Sequence, residues 1–332
     1  MLDIKIIENL DHNISAEWDN FVFHHPNANF FQTPEVFNFF HGLDGIQPIT
    51  FLALENNKIV GVLSVVLMHE PGVKNYFSRR CIIRGGPLCN DEETTSFLLA
   101  KASEHISKKC IYAEIRNLFD TKDYKSSFIQ NEFTYIDWYN IIVPINDYDS
   151  VIKNINTSKR RQITKSLKVG AVINEARSID EIKIFYSILS SLYKRKIKKP
   201  LPSFTYFKKF FLNGSLGKIF IVEFEGEIVG GTVCPIYKDK IYEWYVFGID
   251  KKIKDVYPSV LATWAPIEYA VKNKLKYFDL LGAGSPNFDY GVREFKSQFG
   301  GELVSFGRYI KIFNPYLYTL GKSVLKLSAK LK

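Results

Sequence analysis

The chain has few of the residues on which nucleophilic and metal-dependent enzymes commonly rely. All six histidines lie at or before His105, so the second half offers no imidazole for a Ser-His or Cys-His nucleophile or for a histidine-ligated metal. The four cysteines, at 81, 89, 110 and 234, show neither a C-x-x-C pair nor zinc spacing, and we interpret them as structural thiols. We therefore expect no metal site.

Long apolar runs and phosphate-binding motifs are also missing. No hydrophobic segment approaches the length of a membrane-spanning helix, and the N-terminus, MLDIKIIENLDHNIS, has acidic residues where a signal peptide would be basic. There is no P-loop, and Gly282-Ala283-Gly284 lacks the context of a Rossmann fingerprint. We expect a cytoplasmic protein.

The composition is that of a folded protein with an uneven charge distribution. The 332 residues, 46% hydrophobic and 15% aromatic, are enough for two domains. Residues 1–144 hold 12 basic and 18 acidic residues, whereas residues 145–332 hold 32 basic and 17 acidic ones. A basic second half suggests an anionic partner such as phosphate, nucleic acid or a membrane surface, although a lysine-rich solvated surface would give the same count.

Two stretches of the sequence resemble each other and occur in the same order. FLALENNKIVGVLSVV from Phe51 aligns with FIVEFEGEIVGGTVCP from Phe220, and the strand at Tyr112 aligns with the strand at Phe278. Similar offsets in the same order predict two copies of one α/β unit with mixed sheets. We place the domains at residues 1–144 and 145–314.

The second copy carries basic helical segments. A helix capped by Asp149 or Ser150 is expected to run to Val169, and TSKRRQITKSLK within it places basic residues on one face. Residues 315–332 are expected to form a basic amphipathic helix that docks on the core or rests on the inner face of an anionic membrane.

The stretch KYFDLLGAGSPNFDYGVREFKSQFGGEL, residues 276–303, carries the best candidates for chemistry. It predicts a buried strand, a glycine-rich loop and a short charged, aromatic segment. Lys296 in that segment is suited to stabilising the oxyanion of a tetrahedral intermediate in acyl transfer to an amine. Asp279 and Glu243 are candidate bases on strands, and each could equally be a hydrogen-bonded structural acid.

These motifs together resemble the FemA/FemB-like (FemAB) family of peptidoglycan-bridge transferases, which consist of two fused acetyltransferase-like (GNAT) domains. The resemblance covers the whole chain and is carried by IVGG, YFDLLGAG, REFKSQFGG, SKRRQITKSLK and, in the first domain, Arg84-Gly85-Gly86-Pro87. It implies a tandem duplication of the GNAT-like domain and an N-acyltransferase that moves an aminoacyl group from aminoacyl-tRNA, or an acyl group, to an amine of a cell-envelope precursor such as a peptidoglycan or lipid-linked intermediate.

The resemblance also implies roles for particular residues. Lys296 resembles the catalytic lysine, with Phe295 positioning it, and Arg195 resembles an arginine that binds the diphosphate of the acceptor. Contacts with tRNA or another phosphate-bearing partner are expected from Arg160, Arg161 and Lys165. The remaining predicted substrate contacts are Tyr245, Gly282, Arg293 and Arg84.

Two departures from the resembled families leave alternatives open. The segment Gly170–Ser178 is too short for the helical arm of some FemAB relatives, and residues 250–262, DKKIKDVYPSVLA, lack the pyrophosphate loop of ordinary acetyltransferases. A coenzyme A-dependent N-acyltransferase acting on an amino sugar of a surface polysaccharide is one alternative. An inactive duplicate that binds RNA or membrane is another. Aminoacyl-tRNA or acyl-coenzyme A would serve as a co-substrate, and no bound cofactor is expected.

Overall fold

Two mixed β-sheets of eight strands each organise the chain. The computed structural model describes residues 1–10, 12–72, 75–250 and 253–330. Contacts divide the chain into a first unit, Met1–Asp137 with Phe306–Lys332, and a second unit, Trp138–Ser305. Each unit has its own sheet and its own apolar core.

The strands are β1 (Leu2–Ile7), β2 (Ile46–Glu55), β3 (Lys58–Met68), β4 (Arg80–Arg84), β5 (Leu88–Cys89), β6 (Tyr112–Arg116), β7 (Thr134–Ile136), β8 (Asn140–Pro144), β9 (Val172–Glu175), β10 (Gly217–Phe224), β11 (Glu227–Tyr237), β12 (Lys240–Tyr242), β13 (Tyr245–Gly248), β14 (Tyr277–Gly282), β15 (Glu302–Val304) and β16 (Arg308–Ile312). The first sheet has the order β1-β2-β3-β4-β6-β16-β7, with β5 beside β3. The second has the order β15-β8-β14-β12-β11-β10-β9, with β13 beside β11.

The helices are α1 (His12–His24), α2 (Pro34–Phe40), α3 (Asn75–Ser78), α4 (Glu92–Ile106), α5 (Lys125–Gln130), α6 (Tyr148–Asn154), α7 (Thr157–Lys168), α8 (Ile179–Leu192), α9 (Phe204–Leu212), α10 (Pro258–Lys272), α11 (Gly291–Ser297) and α12 (Pro315–Lys330). One π-helical turn, Tyr193–Ile197, follows α8. Local signals explain many of the boundaries. Thr33, for example, accepts a hydrogen bond from the Val36 N–H and precedes Pro34 at the first position of α2.

The predicted duplication is visible in equivalent irregularities of the two sheets. The hairpins β2–β3 and β10–β11 each shift register once, between Ala53 and Leu54 in the first and between Val222 and Glu223 in the second. The helices α4 and α10 are both 15 residues long, and each lies between a hairpin and a strand of the parallel pair. A β-bulge repeated at equivalent positions is a detail that two unrelated domains would not share.

The domain boundaries differ from the predicted boundaries because two strands are exchanged. Near the predicted boundary at residue 144 the chain forms two strands: β7, which pairs with β16 in the first sheet, and β8, which lies between β14 and β15 in the second. Conversely, β16 pairs with β6 and β7 of the first sheet, although it follows the second unit in the chain. In each sheet, the strand next to one edge therefore comes from a chain segment that follows the other unit. This strand is β16 in the first sheet and β8 in the second.

The helix expected up to Val169 is two helices. Asp147 caps α6, and Asn156 caps α7 through a hydrogen bond from the Ser158 N–H. Between them Ile155 is extended, and the Asn156 N–H donates to the Gln298 carbonyl at 2.9 Å instead of continuing the helix. The predicted C-terminal helix is present as α12, but Leu331 and Lys332 lie outside the described residues.

Candidate active site

A gap opens in the second sheet where β12 and β14 separate. Three residue pairs join these parallel strands, ending at Tyr242 and Asp279. The Glu243 N–H still donates to the Asp279 carbonyl at 2.9 Å, but the Trp244 N–H turns to Val233 at 2.9 Å. We call the space beyond Glu243 and Leu280 the strand gap. The carboxyl ends of diverging parallel strands are a common position for ligand binding in α/β proteins.

The conformation of β14 at the gap is unusual. The pairing of β14 with β8 shifts register between Asp279 and Gly282, and Leu281 has φ +55°. A non-glycine residue in the left-handed region costs free energy and is most common at functional sites. The predicted substrate residue Gly282 lies in this bulge and pairs with Asn140 of β8.

Lys296 extends from α11 into the strand gap. Its side chain is only 10% exposed, and its Nζ lies 3.0 Å from Oε2 of Glu243, which is 1% exposed. The same ammonium donates a hydrogen bond to the Leu280 carbonyl. Oε1 of Glu243 accepts a hydrogen bond from Thr263 Oγ1 of α10 at 3.1 Å. The structure therefore brings Lys296 and Glu243, both selected from the sequence, into one buried ion pair beside a backbone carbonyl.

Asp279 is the second buried acid at the gap. Its Oδ1 accepts a hydrogen bond from the Leu281 N–H at 2.7 Å. Burial raises the pKa of this carboxyl to about 7, even though this N–H and the nearby cations Lys240 and Lys296 favour its charged form. At neutral pH Asp279 is consequently balanced between its protonated and charged forms, a property suited to a proton acceptor.

Phe295 lies between the core and a lysine that the sequence analysis did not select. Its ring centroid is 5.3 Å from that of Phe299 and 4.6 Å from Nζ of Lys159 on α7. Lys159 is 9% exposed and donates to Gln162 Oε1 at 3.2 Å. Burial lowers the pKa of Lys159, and Asp250 opposes that shift. The motif SKRR gave no indication of this burial, because four consecutive polar residues predict an exposed turn of helix.

Aromatic residues line the region around Tyr245, a predicted substrate contact at the start of β13. Its ring centroid lies 5.2 Å from that of Phe207 and 6.4 Å from that of Tyr193. Burial, together with the hydroxyls of Tyr245 and Tyr290, raises the pKa of Tyr193. Tyr193 begins the π-helical turn that carries Arg195, whose side chain is exposed. Arg195 is thus accessible to an anionic substrate, as its predicted role requires.

Arg293 stabilises the loop that precedes α11. Its guanidinium donates to the Ser285 and Phe288 carbonyls, both at 2.7 Å, and lies over the ring of Tyr139. Gly284 in the same loop has φ +86°, and a Cβ there would lie 2.7 Å from the Tyr290 ring. The predicted substrate contact of Arg293 would therefore compete with two backbone hydrogen bonds that shape the loop.

Arg84 belongs to the first unit, at the end of β4. Its guanidinium lies over the Phe31 ring, and its carbonyl accepts a hydrogen bond from Gln32 Nε2 at 2.8 Å. Gln32 is completely buried and also bonds both backbone groups of Ser64. The Arg-Gly-Gly-Pro segment is thus held by buried side chains of its own unit.

The three predicted phosphate-binding residues of α7 differ in their environments. Arg161 is exposed, whereas Lys165 forms an ion pair with Asp255 at 2.8 Å. Arg160 donates from Nη2 to Thr157 Oγ1 at 3.0 Å, and its buried Nε has no hydrogen-bond partner among the described residues. Arg161 is therefore the most accessible of the three.

Asp250 caps the N-terminus of α10. Its Oδ1 accepts a hydrogen bond from the Ser259 N–H at 2.8 Å, and its Oδ2 accepts one from Ser259 Oγ at 2.6 Å. Pro258 at the start of the helix has no N–H to offer. This arrangement was not predicted, since the capping residue lies nine positions before Ser259 and not next to the helix.

The described residues contain neither a cluster of metal ligands nor a membrane-spanning helix. Across residues 1–10, 12–72, 75–250 and 253–330, no group of three or more His, Cys, Asp or Glu side chains could hold a metal ion. Within the same described ranges, every helix is too short or too polar to cross a bilayer.

Known proteins support this picture of the fold. The family model of an acetyltransferase (GNAT) domain matches residues 153–297. The matched residues lie within the second unit, and the predicted enzyme class, an acyltransferase, is confirmed. No curated protein matches the chain.

Solved structures match both units together. FemX is similar at 16% identity and a TM-score of 0.71, over 95% of this chain and 99% of that one. A tandem GNAT protein from the clavulanic acid biosynthesis pathway is similar at 10% identity and a TM-score of 0.63, also over 95% and 99%. L-PGS from Bacillus licheniformis reaches 15% identity and a TM-score of 0.52, over 79% of this chain and 85% of that one. The predicted FemAB-like tandem GNAT fold is confirmed.

Proposed function

We propose that the second unit transfers an aminoacyl group from aminoacyl-tRNA to an amine of a cell-envelope precursor. The observation that carries this proposal is the ammonium of Lys296, held in the strand gap by Glu243 and the Leu280 carbonyl. A fixed cation in a partly desolvated gap is a strong stabiliser of a developing oxyanion.

The reaction follows from these groups. The acceptor amine attacks the carbonyl carbon of the aminoacyl ester, and the carbonyl electron pair moves onto the oxygen, which Lys296 stabilises. The amine loses a proton to a base, for which Asp279 is suited by its raised pKa. Collapse of the intermediate breaks the ester C–O bond, and the departing tRNA hydroxyl takes up a proton. Glu243 fixes Lys296 in position throughout.

Anionic substrates would be held by exposed cations around the site. Arg195 on the π-helical turn is suited to a diphosphate of the acceptor, and Arg161 on α7 to the tRNA backbone. The helix α12 contains Lys322, Lys326 and Lys330 and no acidic residue, so it is suited to an anionic membrane on which a lipid-linked acceptor would lie. These partners are part of the proposal.

A second candidate is transfer from acyl-coenzyme A to an amino sugar. It is favoured by the acetyltransferase description of the matching family model. It is disfavoured by the start of α10, where Asp250 and Pro258 leave no donor for a pyrophosphate at the first two helical positions.

A transfer assay tests these functions directly. The purified full chain is given either a tRNA pool charged with labelled amino acids or labelled acetyl-coenzyme A. The acceptors are nucleotide-linked and lipid-linked precursors with a free amine, and an amino-sugar oligosaccharide. We expect label to pass from tRNA to a precursor. Transfer only from acetyl-coenzyme A would favour the second candidate, and no transfer at all would contradict both.

A further inference from the structure

Asp250 lies at a position where the protein favours an anion. It occupies the N-terminus of α10, where the helix dipole and the free N–H groups attract negative charge. The cation Lys159 is close enough that Asp250 favours the charged form of that lysine. The N-cap residue of α10, Tyr257, makes no capping hydrogen bond with its side chain, so this role passes to Asp250.

The approach of β13 to this helix depends on Gly248. A Cβ at Gly248 would lie 2.1 Å from the Ser259 nitrogen and 2.5 Å from its Oγ. Only glycine therefore allows the end of β13 to pass so close to Ser259, the residue that Asp250 binds. The end of β13, the start of α10 and the carboxylate of Asp250 therefore form one fixed arrangement.

We propose that Asp250 determines donor specificity by acting as a built-in anion. Its carboxylate takes the place where a helix N-terminus in a coenzyme A-dependent acyltransferase would bind pyrophosphate. A coenzyme A donor is then excluded by occupied hydrogen-bond donors and by repulsion between like charges. The donor is instead an ester that needs no diphosphate at this helix. This inference rests on the proposed function, since it treats the second unit as a site of acyl transfer.

The first unit provides a matched control. The equivalent helix, α4, is capped by Asp91, whose side chain accepts a hydrogen bond from the Thr94 N–H at 2.7 Å. Asp91 lies directly before its helix and therefore acts as an ordinary N-cap. Replacing either aspartate removes a cap, but only Asp250→Ala removes the anion beside Lys159.

The experiment is calorimetric titration of the full chain with inorganic pyrophosphate and with coenzyme A. We expect no detectable binding of either ligand by the wild type and Asp91→Ala, and binding of both by Asp250→Ala with a Kd at least about tenfold below the highest concentration tested. Asp250→Asn, which keeps a hydrogen-bond acceptor and loses the charge, should fall between them and serves if the alanine variant does not fold. Wild-type binding of coenzyme A as tight as that of the variants would overturn the proposal, and so would folded variants that gain no pyrophosphate binding.

These titrations require no turnover. Their failure would leave the role of Lys296 in transfer untouched, while an unaffected Lys296 variant in the transfer assay would leave the pyrophosphate result standing. The two proposals can therefore fail separately.

Discussion

The same parallel strand pair is closed in the first unit and open in the second. In the first unit, β4 and β6 pair over five residues up to Arg84 and Arg116, and the Gly85 N–H adds a bond to the Arg116 carbonyl at 2.9 Å. In the second unit, pairing of β12 with β14 ends after three residues, and Lys296 enters the gap. The first unit, in which the strand pair stays closed, is suited to a structural role. The second unit, in which the strands separate, is suited to catalysis.

Equivalent acids of the two units have opposite electrostatics. The register places Glu114 of β6 and Asp279 of β14 at the same position of the pair. Burial acts to raise the pKa of both. In Glu114 the guanidinium groups of Arg116 and Arg308 outweigh it and lower the pKa to about 2, whereas in Asp279 burial prevails and the pKa is about 7. One acid is fixed in its charged form, and the other can exchange a proton near neutral pH.

The largest expected effect tests whether β16 completes the first unit. Tyr309 of β16 is 1% exposed and stacks on Phe128 with ring centroids 3.9 Å apart. Tyr309→Ala should destabilise the first unit by about 3–5 kcal/mol, because it leaves a large cavity. Amide hydrogen exchange, read separately for each unit, measures the loss. Leu303→Ala, at an exposed position of β15, is the control, and equal losses in both variants would refute the strand exchange.

The second prediction tests whether chemistry belongs to the open unit. Lys296→Ala should slow transfer by roughly 100-fold to 1000-fold, as expected for loss of an oxyanion donor. The control is Gln130, an exposed residue at the end of α5 in the first unit, and Gln130→Ala should leave the rate unchanged. Both turnover and the melting temperature are measured for Lys296→Ala. The alanine leaves Glu243 buried without its cation, and this could destabilise the protein. A folded Lys296→Ala protein with unchanged turnover would remove the lysine from the mechanism.

The third prediction concerns pH. The pKa of Asp279 is about 7 in the folded chain, whereas the ordinary pKa of an aspartate is 3.8. Between these two pH values the folded state therefore holds a proton that the unfolded state has released. The stability that Asp279 contributes is complete below pH 3.8 and is lost as the pH rises through 7. Between pH 5 and pH 8 it should fall by about 2–3 kcal/mol. Asp279→Asn should lose this dependence in denaturant titrations.

Glu114 of the first unit should show the opposite pH dependence from Asp279. The pKa of Glu114 is lowered, so its contribution to stability is present above pH 4.5, the ordinary pKa of a glutamate, and is lost only as the pH falls towards 2. A substitution of Glu114 should therefore not change the slope of stability between pH 5 and pH 8. If Asp279→Asn also left that slope unchanged, the contrast between the two acids would be wrong.

The smallest expected effect concerns the acceptor. Arg195→Ala should raise the KM for a diphosphate-bearing acceptor by about tenfold, the loss of one charge-assisted hydrogen bond, with kcat nearly constant. Steady-state kinetics at saturating donor measure both constants. Lys196→Ala on the same exposed turn is the control. A fall in kcat without a change in KM would contradict a role in acceptor binding.

Much of the fold could be predicted from the sequence because local patterns repeat. The stretches aligned from Phe51 and Phe220 have similar residues, and both form hairpins, β2–β3 and β10–β11. The exchange of β8 and β16 could not be predicted, since a strand of only five residues carries no signal for which sheet it will join. The predicted boundaries at 144 and 314 therefore differ from those of the structure.

The site was predictable only in part for a similar reason. Glu243 and Asp279 could be selected because each interrupts an apolar or aromatic stretch, which is costly unless the residue has a partner. Lys296 could be selected because it lies in REFKSQFGG, one of the motifs that resemble the FemAB family. Lys159 could not, because its burial depends on packing against Phe295 from a different helix. Asp250 could not be predicted either, because it caps α10 by binding Ser259, nine residues further along the chain. An N-cap is predicted from the sequence only at the position directly before a helix.

The most direct test of the open second unit as an aminoacyl transfer site is a pair of binding titrations. Purified chain is titrated with labelled total aminoacyl-tRNA and with acetyl-coenzyme A, each at two salt concentrations. We predict saturable tRNA binding that weakens with salt, and no binding of acetyl-coenzyme A. Binding of acetyl-coenzyme A alone would contradict this account.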